Sequence, residues 1–179
     1  MKKTSIALCG THGTGKTTIV DSVYGLILLE KNTQITRINE VYQIINKSTN
    51  QNNGMVWQDC ENITLATYHL QLALEKNKQQ IIADRTPFDC FVYHNAEYTT
   101  DMFNLAKMEA YNYCQSYDKI YLIEPSDRLI TNDGFRNTSK DDQLAMHEKF
   151  LLAFNGMKNV VIVNQEKQEE IVDEICNFF

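Results

Sequence analysis

No apolar run in the chain approaches the roughly 20 residues that a membrane span needs. Residues 6–9, the apolar stretch behind the basic N-terminus, are too few for the core of a secretory leader. A cytoplasmic location is the expectation. Cysteine is sparse in a telling way: Cys9, Cys60, Cys90, Cys114 and Cys176 form an odd, scattered set with no CxxC pair. That excludes a disulfide or zinc framework and leaves buried thiols in a reducing compartment. Positive charge is in deficit, with a net charge of −6, which weighs against broad adhesion to nucleic acid but allows a local basic pocket. Proline occurs only twice, and we attach no functional meaning to it. With no internal repeat and no linker, the 179 residues read as a single domain, 1–179, long enough to bury a full core.

Short apolar runs alternate with helical patterns. Strands are expected at residues 5–9, 35–39, 80–84, 119–123 and 160–163. Between them, Ile19, Val20, Val23, Ile27 and Leu28 recur at helical spacing. A helix is expected over 59–77, its apolar face formed by Ile63, Ala66, Leu70, Ala73 and Leu74. Further helices are expected over 88–96 and 102–115. One opening near Ser139, with Asp142 completing a cap, would carry Leu144, His147, Leu151 and Phe154 on one stripe. A closing helix is marked by Ile171, Val172, Ile175 and Phe178. The polar tract 46–54 has no periodicity and reads as a mobile loop, and residues 124–138 as an irregular lid segment. Strands alternating with helices imply an α/β fold: a parallel sheet covered on both faces.

The sharpest motif is Gly10-Thr11-His12-Gly13-Thr14-Gly15-Lys16-Thr17. Glycines at 10, 13 and 15 let the backbone curl so that its N–H groups face phosphate oxygens. Lys16 then reaches the β/γ-phosphates and the Thr17 hydroxyl joins a magnesium shell, so ATP and Mg2+ are the expected cofactors. The loop also opens a helix, whose N-terminus favours anions. The bare pattern arises by chance in about one chain in a hundred of this size. Here it also stands between a strand and a helix, as the mechanism requires. His12 belongs to the cradle as a shaping residue, and Thr18 is placed to touch a phosphate on the α side.

Phosphoryl transfer needs an acceptor, an activating base, a metal-organising group and cations for transition-state charge. Ligands of open parallel sheets gather beyond the carboxyl ends of the strands, where Glu40 and Asp84 both fall. Either acid can be the base, and Asp84 with Thr17 can hold the metal. Arginine is scarce: Arg37, Arg85, Arg128 and Arg136 are the whole set. Arg85 is expected to grip a substrate phosphate or the transferring group bidentately. Arg128 and Arg136 are expected to fold over the phosphates, and Arg37, inside a strand, to be structural. Phe88 and Asp89 are candidate acceptor contacts; Asp89 could instead start a helix. The aromatic set Phe88, Phe91, Tyr93, Tyr98 and Phe103 could stack a base or build core, and Trp57 carries the same ambiguity.

Four motifs occur here in a familiar order: the glycine loop through Thr18, then Asn39-Glu40-Val41, then Asp84-Arg85-Thr86-Pro87-Phe88-Asp89, then Asp133-Gly134-Phe135-Arg136. In this the chain resembles the AAA-domain group of small P-loop kinases, which includes ribosylnicotinamide kinase modules and many bacteriophage proteins. It is more distantly similar to deoxynucleoside and thymidylate kinases. The resemblance implies a P-loop NTPase three-layer sandwich with a five-stranded parallel sheet in the order 2-3-1-4-5. It also implies that Glu40 stands where deoxynucleoside kinases keep their base, Asp84-Arg85 match their acid–arginine pair, and Arg136 their lid arginine. The tryptophan and glutamine pattern with which those enzymes read a pyrimidine is missing.

The expected activity is therefore an ATP- and Mg-dependent kinase acting on a nucleoside, nucleotide or similar small acceptor. Alternatives are a kinase of a hydroxymethylated base in phage DNA and a nucleotide-driven ATPase switch. Against a GTPase there is no Asn-Lys-x-Asp tetrapeptide; against a mechanical ATPase, no strand ends in a paired Asp-Glu. The expected partner is a small-molecule acceptor, with a modified DNA base and a homodimer left open.

Overall fold

The computed structural model describes residues 3–31, 34–49, 60–95, 99–126 and 139–179, the side chains of 46–49 and 165 excepted. Trp57, Tyr98, Arg128, Arg136 and most of the expected lid lie outside this set.

Five strands, β1 (Thr4–Cys9), β2 (Thr36–Ile38), β3 (Gln80–Asp84), β4 (Lys119–Glu124) and β5 (Val160–Asn164), form one parallel sheet in the order β2-β3-β1-β4-β5. This is the expected P-loop order. Side chains alternate across the central strands and feed two cores. Ile6, Leu8, Ile82, Tyr121 and Ile123 face helix α1 (Lys16–Leu26) and helix α7 (Gln168–Cys176). Ala7, Cys9, Ile81, Ala83, Ile120 and Leu122 face the other layer. That layer holds α2 (Val41–Thr49), α3 (Glu61–Glu75), α4 (Asp89–Tyr93), α5 (Asp101–Cys114) and α6 (Lys140–Ala153). All five cysteines are free thiols. Among the described residues no helix is long and apolar enough to cross a membrane.

Several expectations about elements need correction. Helix α1 widens into a π-helical turn over Ile27–Lys31, and Leu28 turns outward at 47% exposure. Residues 46–49 are the last turn of α2, not loop; Val41 in the core and Ile45 packed against it, an i, i+4 pair, anchor the helix that the polar tract continues. The helix expected over 88–96 is only α4, five residues long. In α6 the buried stripe is Gln143, His147 and Phe150, while Leu144 is exposed. In α3 the face anticipated from Ile63, Ala66, Leu70, Ala73 and Leu74 is half-buried at Ile63 and Leu70 and exposed at Ala66, Ala73 and Leu74, and the buried one is Thr64, Leu65, Thr67, Tyr68, Gln71 and Glu75. Both faces are displaced because Thr64, Gln71 and Glu75 in α3 and the Gln143 amide nitrogen in α6 find hydrogen-bond partners inside, which a hydropathy pattern does not register.

Ser139 does cap α6, its hydroxyl accepting from the Asp142 N–H, and Thr100 caps α5 by accepting from the Phe103 N–H.

Candidate active site

Strand β1 ends at Cys9, and the chain turns at Gly10 with φ +122°. A Cβ there would lie 2.7 Å from the Ile123 carbonyl oxygen, so only glycine lets the loop leave between β1 and β4. Gly13 (φ 74°) and Gly15 (φ 78°) make the remaining left-handed turns. Gly15 is the N-cap of α1 and supplies no side chain to that helix end, which leaves the dipole of an eleven-residue helix directed at the loop's concavity.

Lys16 is buried, and its Nζ turns back to donate to the Thr11 carbonyl at 2.5 Å and the Thr14 hydroxyl at 3.1 Å. Burial, followed by the positive charge of Arg85, lowers its amine from 10.5 to about 8. A polyphosphate is the counter-charge this amine lacks. Beside it, the Thr17 hydroxyl donates to Asp84 Oδ2 at 2.5 Å. The other oxygen, Asp84 Oδ1, is buried with no hydrogen-bond partner among the described residues. An orphaned carboxylate oxygen next to a hydroxyl suits a hard divalent cation or its water. Among the described residues no group of three His, Cys, Asp or Glu could hold a metal. Thr17 and Asp84 would thus share a magnesium with phosphate oxygens and water, the usual habit of that ion. The residues present fit both ATP and Mg2+.

Glu40, Arg85 and Asp89 form a buried charged cluster beyond β2 and β3. Arg85 Nε donates to Glu40 Oε1 at 2.6 Å; its Nη1 donates to the Gly10 carbonyl at 3.1 Å, to Asp89 Oδ2 at 3.5 Å and to the Tyr93 hydroxyl at 3.3 Å. The guanidinium carbon also lies 4.9 Å from the centre of the Tyr93 ring. Glu40 Oε2 accepts from Gln43 Nε2 at 2.6 Å. With Nε and Nη1 both engaged by the protein, the bidentate substrate grip expected of Arg85 is not available in this arrangement. Arg85 ties the Glu40 carboxylate to the main chain of the glycine loop instead.

Asp89 starts α4 and is 1% exposed. Its Oδ1 accepts from the Thr86 N–H at 3.0 Å, the Thr86 hydroxyl at 2.6 Å and the Cys9 thiol at 3.1 Å. Burial raises its carboxyl above the ordinary range, against the opposing pull of Arg85 and of the Thr86 hydrogen bonds. Phe88 packs edge-on against Tyr111 and Phe154. Both residues expected to contact an acceptor are thus turned into the protein: Phe88 because an aromatic pocket encloses it, Asp89 because Thr86 and Cys9 engage its Oδ1 and Arg85 its Oδ2. Phe91 and Phe103 are likewise core, in edge contact with one another. Arg37 pairs with Asp21 on the far side of the sheet, a structural role as expected.

The loop is buttressed by Gln143 and Gln71, which sequence reasoning passed over, and by Tyr93, anticipated only as a stacking or core ring. Gln143, 1% exposed on α6, donates to the His12 carbonyl at 2.8 Å, which fixes His12 through its main chain. Tyr93 donates to the Gly10 carbonyl at 3.4 Å. Gln71 reaches the Arg85 carbonyl at 2.7 Å. A signal existed for the first: Gln143 stands one turn before His147 on what proves to be the buried stripe. Thr18 is exposed on α1.

With this loop, this sheet order and the strand-end aspartate together, the family model for the AAA domain matches residues 5–170. The chain belongs to the AAA domain family. No curated protein matches it. Among solved structures, this AAA domain is similar to the NadR protein in complex with NR, with a TM-score of 0.71 and 16% identity over 98% of this chain and 51% of that one. It is also similar to the NadR protein in complex with NAD and AMP-PNP, with a TM-score of 0.69 and 14% identity over 98% of this chain and 49% of that one. The chain spans about half the length of these structures. At such identities the likeness is one of fold, and a P-loop fold in the AAA domain family implies binding of a nucleoside triphosphate.

Proposed function

We propose that this AAA domain is a kinase that uses ATP and Mg2+ to phosphorylate a nucleoside, nucleotide or similar small acceptor. One observation carries the reading: the Glu40 carboxylate is joined through Arg85 to the Gly10 carbonyl of the phosphate loop, across from the Thr17–Asp84 pair. An acid held at that edge, close to the loop but not in the metal pair, is what a kinase needs to take a proton from an acceptor hydroxyl. A mechanical ATPase would carry its water-activating acid directly after the strand-end aspartate, a position held here by Arg85.

In this reading the loop amides and Lys16 hold the β/γ-phosphates, and Thr17 with Asp84 hold Mg2+, which neutralises charge on the transferring group. Glu40 accepts the acceptor's proton as its oxygen attacks the γ-phosphorus, and ADP leaves. Arg85 orients Glu40 and Asp89 orients Arg85. Arg128 and Arg136 enter on sequence position alone, as cations for the transition state. That similar folds are found with NR and with AMP-PNP supports a nucleoside-sized acceptor beside an ATP-like donor.

The test is an ADP-release assay with Mg-ATP against nucleosides, nucleoside monophosphates, nicotinamide riboside and hydroxymethylated DNA. A phosphorylated small molecule is the expected product. Product on DNA alone would move the assignment to a base-modifying kinase, and ADP release with water as the sole acceptor would make it an ATPase.

A further inference from the structure

Arg85, which connects Glu40 to the phosphate loop, adopts a backbone conformation that its residue type avoids, with φ 86°. For a side chain with a Cβ such a conformation is strained, and it persists only where the surroundings over-determine it. The surroundings here are explicit. The Arg85 N–H donates to the Leu8 carbonyl at 2.9 Å, which continues the β1–β3 ladder one residue past the strand. The Arg85 carbonyl then has no strand to join, and it accepts from Gln71 Nε2 at 2.7 Å.

Gln71 is 3% exposed, in the middle of α3. The same Nε2 donates to Glu75 Oε1, one turn along, at 3.0 Å. Both hydrogens of one amide nitrogen are thus assigned, and both partners are acceptors, so the amide can face them in only one sense. Glu75 is in turn held by two hydroxyls: Tyr117 donates at 2.7 Å to both carboxylate oxygens, and Tyr113 at 3.0 Å to Oε2. A carboxylate 1% exposed is costly to bury, and this one belongs to no feature of the proposed chemistry. Its satisfied position dictates which end of the Gln71 amide meets Arg85.

We infer that Gln71, oriented by Glu75, is a positioning residue that locks the Arg85 peptide in its left-handed turn and thereby sets the Glu40 carboxylate against the phosphate loop. The inference rests on the kinase reading for its consequence in turnover, but not for the lock itself. Gln71 touches neither Lys16 nor Thr17, so its loss acts first on the arginine–glutamate pair and reaches the phosphate loop only through the single Arg85–Gly10 bond. Displacements of about 1 Å in such a constellation cost up to about a hundredfold in rate.

The experiment compares wild type, Gln71→Met and Glu75→Gln, with Thr67→Val as a control on the same buried helix. Steady-state kinetics are read beside the 15N-labelled arginine Nε–H spectrum, well below every unfolding temperature. In Gln71→Met the kcat should fall tenfold or more while the KM for ATP stays within about threefold. The Arg85 Nε–H, protected from solvent exchange in wild type by its 2.6 Å bond to Glu40, should exchange rapidly. Glu75→Gln, which keeps the shape but frees the Gln71 amide to turn, should show the same changes to a smaller degree and serves if Gln71→Met fails to fold. Thr67→Val should change neither readout. Unaltered kcat, or Nε–H protection equal to wild type in both variants, overturns the inference. A wild type without transfer activity would sink the kinase reading alone, because the exchange measurement still decides the lock.

Discussion

Replacing Lys16 with methionine should abolish phosphoryl transfer and remove a pH-dependent stability penalty that the nucleotide-free protein carries near neutral pH. The amine is buried, stands near Arg85, and is lowered to about 8 from an unfolded value of 10.5. Below pH 8 the folded protein must hold a charge that the unfolded chain holds more easily, so the shift is a penalty. It is full below pH 8 and fades as the pH rises towards 10.5. A shift of this size corresponds to about 3 kcal/mol. Methionine has a similar reach without the charge, and its gain is offset by the two hydrogen bonds that Nζ makes to Thr11 and Thr14, at about 1–3 kcal/mol each. The net difference at one pH is therefore small; its slope is the decisive quantity. Linkage predicts that wild type gains about 2 kcal/mol on Lys16→Met between pH 7 and 9.5, with tyrosine and cysteine titrations cancelling in the difference. Urea unfolding of both proteins at four or five pH values measures it. Saturating Mg-ATP supplies the counter-charge, so it should flatten the wild-type slope and have little effect on the variant. A stability difference that is constant with pH, or a variant that transfers phosphate, would refute the argument.

Two further outcomes follow from the same geometry. Gly10→Ala puts a Cβ 2.7 Å from a main-chain oxygen at φ +122°; overpacking and the left-handed backbone together should lower unfolding free energy by about 3 kcal/mol or more. A urea-derived unfolding free energy within about 1 kcal/mol of wild type would mean that the loop leaves the sheet by another path. Asp84→Asn keeps an acceptor for the Thr17 hydroxyl but removes the charge that would face the metal, so turnover should fall about a hundredfold with Mg2+ and recover in part with Mn2+. Identical metal dependence in the two proteins would take Asp84 out of the metal site.

Local chemistry determined a good deal of this protein without help from the fold. The five strands, the glycine loop with its lysine and threonine, and the aspartate that ends β3 are written in contiguous residues, because a phosphate cradle requires adjacent backbone amides and a buried parallel strand requires an unbroken apolar run. The parallel, doubly covered sheet followed from the alternation of elements. Tertiary structure decided what each polar side chain does. Arg85 looked like a substrate clamp and is spent on Glu40, Gly10 and Asp89; Phe88 and Asp89 looked like acceptor contacts and face inward. Gln71, Glu75 and Gln143, which no sequence pattern singled out, are buried. The physical reason is the same in each case. Hydropathy scores a residue by its own transfer cost, whereas a buried polar group is stable only through partners that can lie far along the chain, such as the 45 residues between Glu40 and Arg85 or the 131 between His12 and Gln143.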